Sequence, residues 1–139
     1  MADTPKAGDV LSYPYLWARQ ARTGETEGRK LRPCAVVLAV TNHTDKTHLR
    51  LCAVTTQSPM EGTLAVAVPD TEKRRAGLDV QVPLWIIIDE HNVDVFELSY
   101  YIEPLSQMGV FSAAFTKELQ RQMIVALQSR VAQSVKRSD

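Results

Sequence analysis

The sequence has no long apolar run, few cysteines and aromatic residues, and no excess of either charge. No apolar run approaches the roughly 20 residues needed to span a bilayer, and the opening Met-Ala-Asp-Thr-Pro-Lys lacks the basic and apolar regions of a signal peptide. We therefore expect a cytoplasmic protein that does not enter a membrane. Sixteen Lys and Arg residues balance 16 Asp and Glu residues, which excludes the general basic excess typical of many nucleic-acid binders. Residues 1–75 nevertheless carry 11 basic and 8 acidic side chains, so one face can still be basic.

The sequence also gives little support to metal or thiol chemistry. Its two cysteines, Cys34 and Cys52, lie in apolar segments without a C-x-x-C spacing. This arrangement predicts buried reduced thiols rather than a redox pair or a zinc site. The three histidines, at positions 43, 48 and 91, are scattered. We therefore expect no metal and no cofactor.

Short apolar segments separated by turn-forming residues fill the first two thirds of the chain. Strands are predicted at 10–17, where Pro14 makes the strand irregular, and at 33–40, 49–55, 63–68 and 84–88. The second and third of these form a hairpin that we expect to be buried on both faces. Residues 18–31 and the basic segment Lys73-Arg74-Arg75 are predicted to be polar loops.

The apolar period changes to that of a helix after Gly109. Ser112 is a suitable N-cap, and apolar residues then recur at spacings of three to five as far as Val135, before Lys136 and Arg137. This pattern predicts a C-terminal amphipathic helix of about five turns. The 139 residues contain no repeat and no linker, so we expect one domain, 1–139, of mainly β (α+β) class, in which a small antiparallel barrel packs against this helix.

Several motifs, in this order and spacing, resemble the PemK/MazF family of toxin–antitoxin ribonucleases. They are Gly8-Asp9-Val10, the loop Gly24-Glu-Thr-Glu-Gly28, Arg32-Pro33 entering a run of valine and leucine, Ala53-Val-Thr-Thr-Gln57, and Met108-Gly-Val-Phe-Ser112 before the last helix. The resemblance implies an SH3-like barrel and a homodimer. It also implies metal-free cleavage of single-stranded RNA through the 2′-OH, and neutralisation of this toxic activity by a cognate antitoxin.

The resemblance also assigns roles to individual residues. Arg32 corresponds to the cationic group at the phosphate, because a guanidinium donates two parallel hydrogen bonds to phosphate oxygens. Thr55 corresponds to the hydroxyl donor at the same phosphate. Glu27 aligns with the loop carboxylate of the family, as a proton acceptor or an RNA-contacting group.

Other residues are candidates for binding RNA or for proton transfer. The RNA-binding candidates are Arg29, Lys30, Gln57, Arg74 and Arg75, with Tyr13, Tyr15 or Trp17 available for base stacking. Some family members have an arginine and an aspartate on the later strand, where this chain reads Ile86-Ile87-Ile88-Asp89. Asp89 is retained without its basic companion, and His91 is the candidate to replace that companion as an acid or base.

Two other functions remain open at this stage. A family member that has lost cleavage would bind RNA or a protein partner. A gyrase poison of the related CcdB type would act by protein binding, but those proteins end in a Trp-Gly-Ile-like sequence and this chain ends Lys136-Arg137-Ser138-Asp139. We expect a two-fold homodimer in any of these cases, because Trp85 and Ile87 are apolar residues beyond the needs of a small core.

Overall fold

The computed structural model describes residues 4–25, 30–103, 106–129 and 131–137. These residues form β1 (Asp9–Tyr13), β2 (Arg32–Thr41), β3 (Thr47–Thr55), β4 (Ala65–Ala67), β5 (Trp85–Ile87), β6 (Glu90–Val95), β7 (Gln107–Val110) and β8 (Gln133–Lys136). They also form α1 (Ala18–Arg22), α2 (Asp70–Arg75), α3 (Ala113–Gln128) and a short 3-10 helix at Phe96–Leu98. Within the described ranges, no helix has the length and apolar character needed to cross a membrane.

The strands form one sheet in the order β4-β5-β3-β2-β1-β7. Two strands pair along one edge of β3. β6 pairs with the first half of β3, and β5 pairs with its last residues. All of these pairings are antiparallel, and β8 extends the sheet by pairing in parallel with β6. The predicted mainly β, α+β class is confirmed. The pairings among the described residues do not close the sheet into a barrel.

The predicted hairpin is the centre of the core. In β2, Cys34 and Val36 face one apolar cluster, whereas Ala35 and Val37 face the other, on which α3 packs through Leu119 and Met123. All six side chains are almost completely buried, which confirms that the hairpin is covered on both faces. The thiols of Cys34 and Cys52 are reduced and buried, as predicted, and burial raises the pKa of both.

Several predicted boundaries need correction. β1 ends at Tyr13, before Pro14, because proline has no N–H with which to continue the ladder. The basic segment at residues 73–75 is not a loop, since it belongs to α2, where Lys73 is buried and donates to the carbonyl oxygen of Val82 at 2.7 Å. The segment 18–31 starts with α1, and Ala18 joins a small apolar cluster with Leu16 and Val135.

The C-terminal helix starts as predicted but ends earlier. The Ser112 hydroxyl accepts a hydrogen bond from the Phe115 backbone N–H at 3.2 Å, which confirms the N-cap. The helix ends at Gln128, and Val135 and Lys136 belong to β8 instead. The prediction failed here because isolated valines separated by polar residues fit a short strand as well as a helical period.

His91 lies on β6 and is fully buried. Its Nε2 accepts hydrogen bonds from the Arg50 guanidinium and, at 2.9 Å, from the Ser134 hydroxyl. Burial, with a smaller contribution from the Arg50 charge, lowers the pKa of His91 to about 4. The ring is therefore neutral at pH 7. A protonated ring at this buried position would destabilise the folded state relative to the unfolded state.

We expect the stability of the protein to fall as the pH falls from 7.5 to 5. An unfolded histidine with a pKa near 6.5 binds a proton in this window, whereas folded His91 does not, so the free energy of unfolding should drop by about 2 kcal/mol. Urea denaturation at several pH values measures this change. His91→Gln should remove most of the pH dependence, whereas His43→Gln, at an exposed position, should leave it intact. An unaltered pH dependence in His91→Gln would contradict this account of the site.

Candidate functional site

A groove of about 670 Å³ lies where the start of β2, the end of β3 and the start of β6 meet. Its lining includes Trp17, Lys30, Arg32, Thr55, Gln57 and Glu90. Two distant segments meet here because β2 and β3 are antiparallel, which brings the beginning of one strand beside the end of the other. Four residues predicted from the sequence to act on RNA, Lys30, Arg32, Thr55 and Gln57, therefore line one groove.

Arg32 is the first residue of β2 and lies opposite Tyr13 of β1. It is half-buried, and its guanidinium carbon lies 5.4 Å from the centre of the Trp17 ring. A cation over an indole face is stabilised by the ring quadrupole, and this contact limits the orientation of the side chain. The guanidinium has no hydrogen-bond or ion-pair partner among the described residues. Its donors therefore remain available to an anion in the groove.

Thr55 ends β3 and is paired with Trp85 of β5. Its hydroxyl oxygen accepts a hydrogen bond from the Gln57 backbone N–H at 3.1 Å. The hydroxyl hydrogen has no acceptor among the described residues, so it can donate to a ligand in the groove. Thr56, the residue after the end of β3, also lines the groove.

Three further charged residues line the groove. Asp89, predicted from the sequence, accepts a hydrogen bond from the Leu64 N–H at 3.1 Å. Arg19 and Glu90 were not predicted. The guanidinium carbon of Arg19 lies 5.2 Å from the centre of the Trp17 ring, so two arginines contact one indole. The acidic pair Asp89-Glu90, directly after an apolar strand, was the sequence signal that could have indicated Glu90.

Three other predicted residues that the structure describes, Arg74, Arg75 and His91, do not line the groove. Arg74 and Arg75 are absent from its lining, and the end of α2 lies against β7, where a Cβ on Gly109 would come within 2.6 Å of the Arg75 carbonyl oxygen. His91 does not line it either, because strand alternation turns its ring to the other face of β6 from Glu90. Glu27 and Arg29 lie outside the described residues.

A row of polar side chains on β6 holds the chain that enters the groove. Glu90, Asn92 and Asp94 alternate along the strand and therefore share one face, which packs against residues 13–18. The Asn92 side chain accepts from the Leu16 N–H at 2.9 Å and donates to the Leu16 carbonyl oxygen at 2.7 Å. The Asp94 carboxylate accepts from the Tyr13 hydroxyl at 2.8 Å.

Arg137, just after β8, also binds residues 13–18 and the β6 row. Its guanidinium donates at 2.8 Å to both the Pro14 carbonyl oxygen and the Asn92 side-chain oxygen. The guanidinium carbon also lies 4.0 Å from the centre of the Tyr101 ring. Residues 13–18 are thus fixed by side chains of β6 and by Arg137, just after β8, which places Trp17 at the groove, next to Arg19.

Comparison of the chain with protein-family models found no match, and comparison with curated proteins found none either. Membership of the PemK/MazF family therefore stays a prediction, which rests on the motifs described above.

We expect Asn92→Ala to be strongly destabilising. The change leaves the Leu16 N–H and carbonyl groups without partners inside the protein and removes one of the two hydrogen bonds of the Arg137 guanidinium, which should cost about 3 kcal/mol or more. Urea denaturation measures the loss. Asn42→Ala is the matched control, because Asn42 is also hydrogen-bonded, but in a solvent-exposed turn where water can replace its bonds. Equal losses in the two variants would show that the β6 row does not hold residues 13–18.

Proposed function

We propose that this protein is an endoribonuclease toxin of the PemK/MazF type that cleaves single-stranded RNA through the RNA's own 2′-OH without a metal. In this proposal it inhibits growth until a cognate antitoxin binds it. The observation that carries the proposal is the meeting of Arg32 and Thr55 in one groove, with the donors of both side chains available. These two residues come from separate motifs of the resemblance, 23 positions apart in the chain.

The chemistry of the reaction fits these two groups. Attack of the 2′-oxygen on phosphorus builds negative charge on the non-bridging oxygens of a crowded phosphorane. The Arg32 guanidinium is a permanent cation that can donate two hydrogen bonds to those oxygens. The Thr55 hydroxyl supplies a further, neutral donor. Their fixed positions at strand ends keep the reorganisation needed during the reaction small.

The groove also suits a single nucleic-acid strand. Arg19, Lys30 and Arg32 supply positive charge for the nucleic-acid backbone. Asp89 and Glu90 supply carboxyl groups in the same groove. The basic residues Arg19, Lys30 and Arg32 are also the place where an acidic segment of an antitoxin would exclude RNA by charge complementarity.

The proposal includes an SH3-like barrel and a homodimer. The antiparallel sequence β1-β2-β3, and the pairing of β3 with both β5 and β6 along one edge, are compatible with a strongly curved sheet. Trp85 and Ile87 of β5 are half-buried in the single chain, which leaves part of each apolar side chain for a second copy.

One observation favours a second candidate, a relative that binds RNA or a protein partner without cleaving. Where some family members have an arginine, β5 carries isoleucines, of which Ile86 is completely buried and Ile87 lines the groove. This strand therefore brings no basic group to the groove. Cleavage assays separate the two candidates directly.

We expect the wild-type protein to cleave mixed-sequence single-stranded RNA in excess EDTA and to leave a 2′,3′-cyclic phosphate, with DNA uncut. Arg32→Ala should lower the rate about 10²–10⁴-fold because it removes the cation at the phosphorane, and Thr55→Ala should lower it by a smaller factor. Product analysis by mass spectrometry and gel-based rates test both expectations. Arg121→Ala on α3 and Thr71→Ala on α2 are matched controls at exposed positions and should cleave at the wild-type rate.

Two results would overturn this proposal. Wild-type protein that binds RNA and never cleaves it would favour the binding protein instead. Arg32→Ala protein that cleaves as fast as wild type would show that the phosphate is held elsewhere.

We further expect the purified protein to be a homodimer at micromolar concentration, because half-exposed apolar side chains next to a short edge strand favour self-association. Light scattering should give twice the chain mass of 15.5 kDa. A mass of 15.5 kDa throughout the micromolar range would contradict this expectation.

A further inference from the structure

The Glu90 carboxyl group is anchored by one oxygen only. Its Oε2 accepts hydrogen bonds from the Ala18 backbone N–H at 2.9 Å and from the Tyr15 hydroxyl at 3.2 Å. Its Oε1 accepts no hydrogen bond from the described residues. Because Glu90 is half-buried and lines the groove, Oε1 is the oxygen available to a ligand bound there.

A series of ring contacts connects Glu90 to the phosphate-binding side of the groove. The Tyr15 ring, whose hydroxyl holds Glu90, packs edge-on against the Trp17 ring with centres 4.8 Å apart. Arg32 lies over the same Trp17 ring. The carboxyl group and the guanidinium are therefore connected through two packed aromatic residues, Tyr15 and Trp17.

We propose that Glu90 is the general base that removes the proton of the 2′-OH during RNA cleavage, an assignment that rests on the function proposed above. In this step Glu90 Oε1 takes the 2′-OH proton while the 2′-oxygen forms a bond to phosphorus. The bond between phosphorus and the 5′-oxygen then breaks, and the leaving oxygen takes a proton from water. The hydroxide so formed is neutralised by the proton held on Glu90, which restores the carboxylate. The products are a 2′,3′-cyclic phosphate and a 5′-hydroxyl.

The surroundings of Glu90 suit this task. Burial raises the pKa of its carboxyl group above the usual value, which makes the carboxylate a better proton acceptor. The hydrogen bonds from Ala18 and Tyr15 and the charge of Arg19 act in the opposite direction and limit the rise in pKa. Asp89 raises it further. The neutral Cys52 thiol of β3 is a further titratable neighbour, and Lys30 and Arg32 are basic residues in the same groove lining. The carboxylate is thus more basic than that of a solvated glutamate.

Two nearby candidates fit the role less well. His91 lies on the other face of β6, outside the groove, where its ring nitrogen accepts from Arg50 and Ser134. Asp89 also lines the groove, but its hydrogen bond is to the Leu64 N–H, whereas Glu90 is hydrogen-bonded to Tyr15, whose ring packs on the Trp17 ring that Arg32 contacts.

The test is the pH dependence of RNA cleavage by wild type, Glu90→Gln and Tyr15→Phe. The wild-type rate should rise with pH as Glu90 ionises and then become level. Glu90→Gln keeps an oxygen that can accept from Ala18 and Tyr15, yet it should cleave about 10²–10⁴-fold more slowly at neutral pH. Its rate should continue to rise with pH, because hydroxide replaces the lost base. Binding of an uncleavable 2′-fluoro RNA should remain within a few-fold of wild type.

Tyr15→Phe and an unrelated glutamate provide the controls. Tyr15→Phe removes a hydrogen bond that lowers the pKa of Glu90, so the rising limb of its pH profile should move to higher pH. If Glu90→Gln has a lower melting temperature than wild type, the pH profile of Tyr15→Phe tests the role of Glu90 instead. Glu118→Gln on α3 makes the same change of charge away from the groove and should leave rate and profile unchanged.

The outcomes separate the two proposals. Wild-type protein that never cleaves RNA overturns the ribonuclease proposal and the role of Glu90 together. Wild-type cleavage with an unchanged rate and pH profile in Glu90→Gln, or with an unmoved limb in Tyr15→Phe, overturns only the role of Glu90. A merely structural role would lower the melting temperature of Glu90→Gln without changing the shape of its pH profile.

Discussion

The groove depends on the binding of residues 13–18 by the polar face of β6. This segment leaves the sheet at Pro14, so its backbone groups cannot be satisfied by a neighbouring strand. Side chains replace the strand, since Asn92 binds both backbone groups of Leu16 and Glu90 binds the N–H of Ala18. The same contacts that satisfy the backbone therefore position Trp17 beside Arg32. Stability and the geometry of the groove are linked through one row of side chains.

Much of the sheet could be predicted from the sequence because its central hairpin is apolar on both faces. The N-cap at Ser112 could also be predicted, since a capping hydroxyl followed by an apolar helical period is a strong local signal. β6 was missed because its buried face is polar, carrying Glu90, Asn92 and Asp94, so hydrophobic alternation does not mark it. β8 was missed because its pairing with β6 depends on a partner far away in the chain.

The candidate site, like the sheet, could be predicted from the sequence only in part. Arg32, Thr55, Lys30 and Gln57 could be named from local motifs, and antiparallel pairing then places them together. Trp17 was named only as one of three stacking candidates, and Arg19 and Glu90 were not named. Their place at the groove comes from the tertiary contacts of residues 13–18, which no local pattern reveals. The basic residues of α2 were named from the sequence but do not line the groove. A charge cluster in the sequence carries no information about the face on which the fold will place it.

In the complex that we propose, one groove binds RNA with its phosphate at Arg32 and its 2′-position at Glu90. The most direct measurement is a crystal structure of the protein with a short single-stranded RNA whose 2′-OH groups are replaced by fluorine, which can bind but cannot react. We predict a phosphate within hydrogen-bond distance of the Arg32 guanidinium and the Thr55 hydroxyl, with a neighbouring 2′-fluorine beside Glu90 Oε1. RNA bound on the α2 side of the molecule, with the groove empty, would contradict the account.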